Sequence, residues 1–140
     1  MALNPIVPIY YSQGDGPALT AAAAASMLPT NVPGVIPASF FQVGRMLRVR
    51  ATGRISCVVT TPGTARFDIR IAGVVAFDTL AMPLNIVAKT NVPWILDVLL
   101  TCRAAGSGTT TTLLGQGTWL SEASINTATP PTGPGPGGQI

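Results

Sequence analysis

The chain has 140 residues, one domain's length, and carries 9% charged residues beside 47% hydrophobic ones, with a net charge of +3. A soluble domain averages about a quarter charged residues, so this composition points to a subunit covered by neighbours, the alternative being a monomer whose surface is Thr, Ser, Gln and Gly. Histidine is absent and Lys89 is the only lysine, which removes Ser-His-Asp and Cys-His catalysis and His-containing zinc sites, and speaks against the Lys/Arg clusters and stacking rings of nucleic-acid binders.

In chain order, residues 1–34 contain Pro5, Pro8, Gly14, Gly16, Pro17, Pro29, Pro33 and Gly34, too many breakers for a long helix or a central strand. They read as an extended arm in which "ALTAAAAASML" (18–28) predicts a short helix, alanine being the best helix former. The start lacks the basic and apolar regions of a signal peptide, and no segment approaches the eighteen or so apolar residues of a membrane helix. Synthesis in a cytoplasm without export, and no membrane partner, are therefore expected.

From Val35 onward the pattern is that of short strands. "VIPASFFQVG" (35–44) predicts an edge strand, and "LRVRATGRISCVV" (47–59) alternates strictly, with Leu47, Val49, Ala51, Gly53, Ile55, Cys57 and Val59 on the dry face. "TPGT" (61–64) is a turn. "ARFDIRI" (65–71) alternates again, and "AGV" (72–74) predicts a tight hairpin into "VVAFDTLA". "LNIVA" (84–88) is a further apolar segment. In "PWILDVLLTCR" (93–103) Trp94, Leu96, Val98, Leu100 and Cys102 share one face, with Asp97, Thr101 and Arg103 on the other. "AAGSGT" is a turn before "TTTLLGQGTWLSEA", where Gly115 and Gly117 predict a bulge or a close backbone approach. Residues 124–140 form a Pro/Gly-rich tail.

The fold class expected is all-β: an antiparallel β-sandwich, jelly-roll-like, over 35–123, with arms at 1–34 and 124–140. An immunoglobulin domain is disfavoured, because Trp94 lies only eight residues before Cys102 and position 100 is leucine. Two cysteines, Cys57 and Cys102, are too few for a disulfide scaffold and read as buried thiols, with a bridge left open.

No catalytic, metal-binding or cofactor-binding residue is expected. The five acids Asp15, Asp68, Asp78, Asp97 and Glu122 are scattered singly, and the pair Asp68 and Asp78, facing across a hairpin, reads as strand charges matched to Arg66 and Arg70. Ser56 lacks the Gly-x-Ser-x-Gly setting, and "GSGTTTT" lacks the lysine of a phosphate loop. What stands out is Arg45, Arg48, Arg50, Arg54, Arg66 and Arg70 on consecutive strands. If those strands pair, they form one basic face: solvated, or offering bidentate contacts to carboxylates of neighbouring subunits, or, with less support, a phosphate strip.

The segments "GRISCVVTTPGTARFDIRI", "FDTLA", "AKTNVPWILDVLLTCRA" and "LLGQGTW" resemble a group of small virion structural proteins of tailed bacteriophages, over about residues 36–121. The resemblance implies a non-enzymatic particle subunit, most naturally a head decoration or cementing protein. Its expected partners are the major capsid protein, other virion proteins and copies of itself, a homotrimer being favoured, and its place is the virion. Its mechanism would be adhesive, arms and an arginine-bearing face adding weak contacts into strong attachment. Alternatives are a tail, collar or fibre-base protein, or a soluble carbohydrate-binding sandwich with Trp94, Trp119, Tyr10 and Tyr11 as stacking residues.

Overall fold

Two-residue alternation, strict only in the first of them, marks the three long strands among the described residues. The computed structural model describes residues 7–12, 14–29, 35–106, 110–124 and the backbone of 133–134. Its strands are β1 (Met46–Cys57), β2 (Thr64–Ala65), β3 (Asp68–Ile71), β4 (Val74–Asp78), β5 (Met82–Pro83), β6 (Lys89–Ala104), β7 (Thr112–Ser121) and β8 (Gly133–Pro134). All pairings are antiparallel: a sheet in the order β1-β6-β7-β8, the pair β2-β5 and the hairpin β3-β4. The all-β, antiparallel expectation holds among the described residues, arranged as one larger sheet and two small ones. Internal contacts divide the chain into two units, Met1–Phe40 and Phe41–Ile140.

In the first unit the expected helix over 18–28 is not formed; those residues are bends and irregular backbone, nearly all exposed. The reason is physical. A run of alanines offers no large apolar stripe to bury, and a segment this short is marginal as an isolated helix. Nor is the arm simply extended, because a β-carbon on Gly16 would overlap the carbonyl of Met27, so the chain doubles back on itself there. The edge strand expected at 35–44 is replaced by one turn in its middle and another at its end. Phe40 N–H donates to Pro37 O around Ser39 at φ 61°, and Arg45 N–H donates to Gln42 O beside Gly44 at φ 83°.

In the second unit, β6 is the centre of the large sheet. Its even residues Trp94, Leu96, Val98, Leu100 and Cys102 are buried, opposite Gly53, Ala51, Val49 and Leu47 of β1 and opposite Ser121, Trp119, Gly117, Gly115 and Leu113 of β7. Burying side chains of this size contributes about 1.5–3 kcal/mol each. Three small partners make the face possible. The Trp94 indole lies over Gly53, Val98 fills the space at Gly117, and Gly115 lets the backbone at Ala76 and the Phe77 ring approach to 3.1 Å of where a β-carbon would stand. Gly115 and Gly117 thus mark a close approach and not a bulge, since the β6–β7 register is regular through both.

The β3-β4 hairpin covers this inner face, with Ala76 and Phe77 buried against it, and the Phe67 ring just before β3 sits 5.0 Å from Trp94 and 5.7 Å from Trp119. The hairpin closes on Ala72 and Gly73, both at positive φ (50° and 83°), the signature of a two-residue type I′ turn. "LNIVA" is not a strand: Leu84 makes one bridge to Ser124, Asn85 Oδ1 accepts from Val87 N–H, and Ile86 and Val87 are exposed. Cys57 and Cys102 are buried and free. Cys57 pairs with Lys89 at one end of β6, while Cys102 lies near the other end, which leaves no bridge between them within one chain.

Candidate interaction surface

The odd residues of β6 and the even residues of β1 and β7 form the outer face of the large sheet, on the side away from the hairpin. Cross-strand rows are set by the register: Met46–Thr101–Leu114, Arg48–Leu99–Gln116, Arg50–Asp97–Thr118 and Thr52–Ile95–Leu120. Asp97 organises the charges. Arg48 donates to it through two nitrogens, Nε to Oδ1 at 2.9 Å and Nη2 to Oδ2 at 2.5 Å, and Arg50 Nε stands 3.8 Å from Oδ2. The Arg48 hydrogen bonds hold the Asp97 carboxyl below the usual carboxylate range, against partial burial that pushes the other way, and raise Arg48 in turn. Arg54 donates to the carbonyl of Asn91 at 2.9 Å. Arg45 lies just ahead of β1, an exposed residue whose carbonyl accepts from Cys102 N–H.

The remaining two predicted residues lie elsewhere. Arg66 makes a two-pronged ion pair with Asp78, whose carboxyl it holds low, and Arg70 pairs with Asp68 at 2.7 Å. Asp68 and Asp78 do face each other across β3 and β4, and each is matched by an arginine, as the charge pattern predicts. The single basic face, however, is not formed. β1 pairs with β6 and β3 pairs with β4, so Arg48, Arg50 and Arg54 stand on the outer face while Arg70 belongs to the covering hairpin and Arg66 lies just ahead of it. Adjacency in sequence did not become adjacency in the sheet, because β6, far along the chain, supplies the longer apolar partner for β1.

Beside the arginines the outer face carries open apolar side chains among polar ones. Ile95, Leu99 and Leu120 are 37%, 39% and 47% exposed, and Met46 is exposed at the corner. These are the residues that sequence reasoning missed. The signal was present, since "WILDVLL" is apolar at odd as well as even positions, which is more than one buried face needs.

Other features bear on chemistry. Trp94 and Trp119 are core residues, packed at a tilt against Phe67, and are not open platforms for a sugar ring; Tyr10 and Tyr11 lie in the first unit. An open groove of about 480 Å³ at one end of β6 and β7 is lined by Asn85, Lys89, Trp94, Ser121, Glu122 and Ser124, among others, with Lys89 and Glu122 3.8 Å apart. Among the described residues no group of three His, Cys, Asp or Glu side chains is gathered as a metal site would need, and no helix is long and apolar enough to cross a membrane. Comparison with protein families, with curated proteins and with solved structures gives no match to this chain.

Proposed function

We propose that the chain is a non-enzymatic structural subunit of a tailed-bacteriophage particle, a head decoration or cementing protein that holds the major capsid protein and neighbouring copies of itself. The observation that carries this reading is the outer face of the β1-β6-β7 sheet. Leucine and isoleucine side chains stand open there beside two arginines sharing one carboxylate, the mixture of apolar core and arginine rim that protein interfaces favour. The low charge of the whole chain agrees with it.

In this reading the large sheet and the β3-β4 hairpin are the two layers of a jelly-roll-like sandwich over 35–123. The arms at 1–34 and 124–140 clasp adjacent subunits, and copies gather about a threefold axis. Arginine suits the role because its planar fork binds carboxylates through two hydrogen bonds, and many weak contacts repeated over a shell add to firm attachment.

The test is the double variant Arg48→Ala/Arg50→Ala, added to particles made without the chain. The variant should melt with the parent and bind the particle more weakly. Undiminished particle binding would overturn the assignment, and a variant that binds normally but unfolds readily would place the partner of these arginines inside the chain.

A further inference from the structure

On its β7 side the large sheet is continued by β8 at Thr118 and Trp119 only. Among the described residues no strand pairs with the second edge of β1, which runs open over its twelve residues. Which backbone groups face that edge follows from the register. Cys102 N–H donates to Arg45 O, and the β1–β6 pairing then runs residue for residue to Ile55. Odd residues of β1 therefore spend their N–H and C=O groups on β6, and even residues turn theirs to the open side. Met46, Arg48, Arg50, Thr52, Arg54 and Ser56 thus present a row of donors and acceptors, and an unpaired row of this length is a template for another strand.

Side-chain burial points the same way. On β6 the inward residues Leu96, Val98, Leu100 and Cys102 are buried, whereas their neighbours Leu47, Val49, Ala51 and Ile55 on β1 are only half-buried. One more strand beside β1 would complete the hydrogen-bond ladder and shield the flank of these half-buried residues.

Charge says what kind of strand fits. Three arginines line the outer side of β1; one carboxylate, Asp97, answers Arg48 and Arg50, and Arg54 donates to the Asn91 carbonyl. A second copy of β1 is a poor occupant: keeping the faces matched, the antiparallel registers that use most of the strand set Arg48 on Arg54, Arg50 on Arg50 or Arg50 on Arg54. The chain's own acids do not form an alternating segment either, and Asp68, Asp78 and Asp97 already hold arginines. We infer that β1 takes an added strand from a different protein, an extended segment with acidic side chains at alternate positions opposite Arg48, Arg50 and Arg54 and small apolar ones between them. This inference stands on the sheet edge and does not depend on the virion reading.

The full chain is titrated with a synthetic peptide of about nine residues, a typical strand length, alternating Glu with Val and Thr. Binding is followed by fluorescence anisotropy, and amide hydrogen exchange of 46–56 is read in parallel. The expected result is saturable binding with slowed exchange at Arg48, Arg50, Thr52 and Arg54. A peptide N-methylated at alternate residues keeps its charge and loses its ladder, and should bind at least about tenfold more weakly, the value of one to two lost hydrogen bonds. Thr52→Pro, a substitution an edge strand tolerates where the N–H faces outward, should likewise remove binding, while its circular dichroism and melting report on the fold. Equal binding of the methylated peptide would reduce the contact to charge alone, a lysine peptide binding as well would remove the role of the arginines, and dimerisation of the free chain through β1 would make the second copy the occupant; each overturns the inference, as does no binding at all.

Discussion

A methyl group at Gly117 has nowhere to go. An alanine β-carbon there would stand 2.6 Å from Val98 Cγ2, 2.9 Å from the carbonyl oxygen of Asp97 and 3.1 Å from Val98 Cα. Two of these contacts are backbone of the central strand, and Val98 is fully buried, so neither can step aside. Overpacking of this kind costs about 1–3 kcal/mol, and backbone contacts place Gly117→Ala in the upper half, at about 2–3 kcal/mol. For a unit of about 100 residues each kcal/mol moves the melting temperature by about 4–8 °C, so a fall of about 10–20 °C is expected. Val98→Ala alone removes two packed methyl groups, about 2 kcal/mol with its cavity. In the double variant the Val98 clash is gone but the Asp97 carbonyl remains, so the two costs overlap by about 1 kcal/mol rather than adding. Urea unfolding of the four proteins, followed by the fluorescence of the buried tryptophans, measures the cycle. Should Gly117→Ala unfold with the parent, or the two costs simply add, the close approach of β7 to β6 described above is wrong.

Other consequences can be measured alongside. Ala72 holds a left-handed conformation at φ 50° in the β3-β4 turn, so Ala72→Asn should raise stability by about 0.5–1 kcal/mol, and a loss in thermal melting would argue against the type I′ turn. Asp78 and Asp97 titrate below the ordinary carboxylate range because of Arg66 and Arg48. Their contribution is therefore complete above the unfolded value of about 4 and is lost as pH falls through the depressed folded values. Stability against urea should decline over that acid window in the parent and decline less in Asp78→Asn/Asp97→Asn; equal acid slopes would mean that the ion pairs do not form in solution.

Alternation made much of this fold legible. β1, β6 and β7 fall where period-two patterning puts them, "AGV" turns the hairpin, and Cys57, Cys102, Trp94 and Trp119 lie on the dry side. What alternation does not carry is who pairs with whom. β1 lies beside β6 and not beside β3, and that choice, made by strands some forty residues apart in the chain, split six arginines that sequence order had grouped. It also brought Asp97 between Arg48 and Arg50, although nothing near either arginine in sequence announces that carboxylate. Local propensity failed at both ends of its scale. Alanines over 21–25 form no helix, having nothing to pack against, and the apolar residues of 35–44 form no strand, because Ser39 and Gly44 turn the chain at positive φ. The open outer face was legible in principle, in the doubled apolar pattern of "WILDVLL".

The central proposal is membership of a tailed-phage particle, and the direct measurement is quantitative mass spectrometry of virions purified from the source of this chain. A head decoration or cementing protein should be present in many copies, in fixed ratio to the major capsid protein, and should be released by conditions that leave the shell whole. Absence from the virions, or a handful of copies travelling with the tail, would contradict the account.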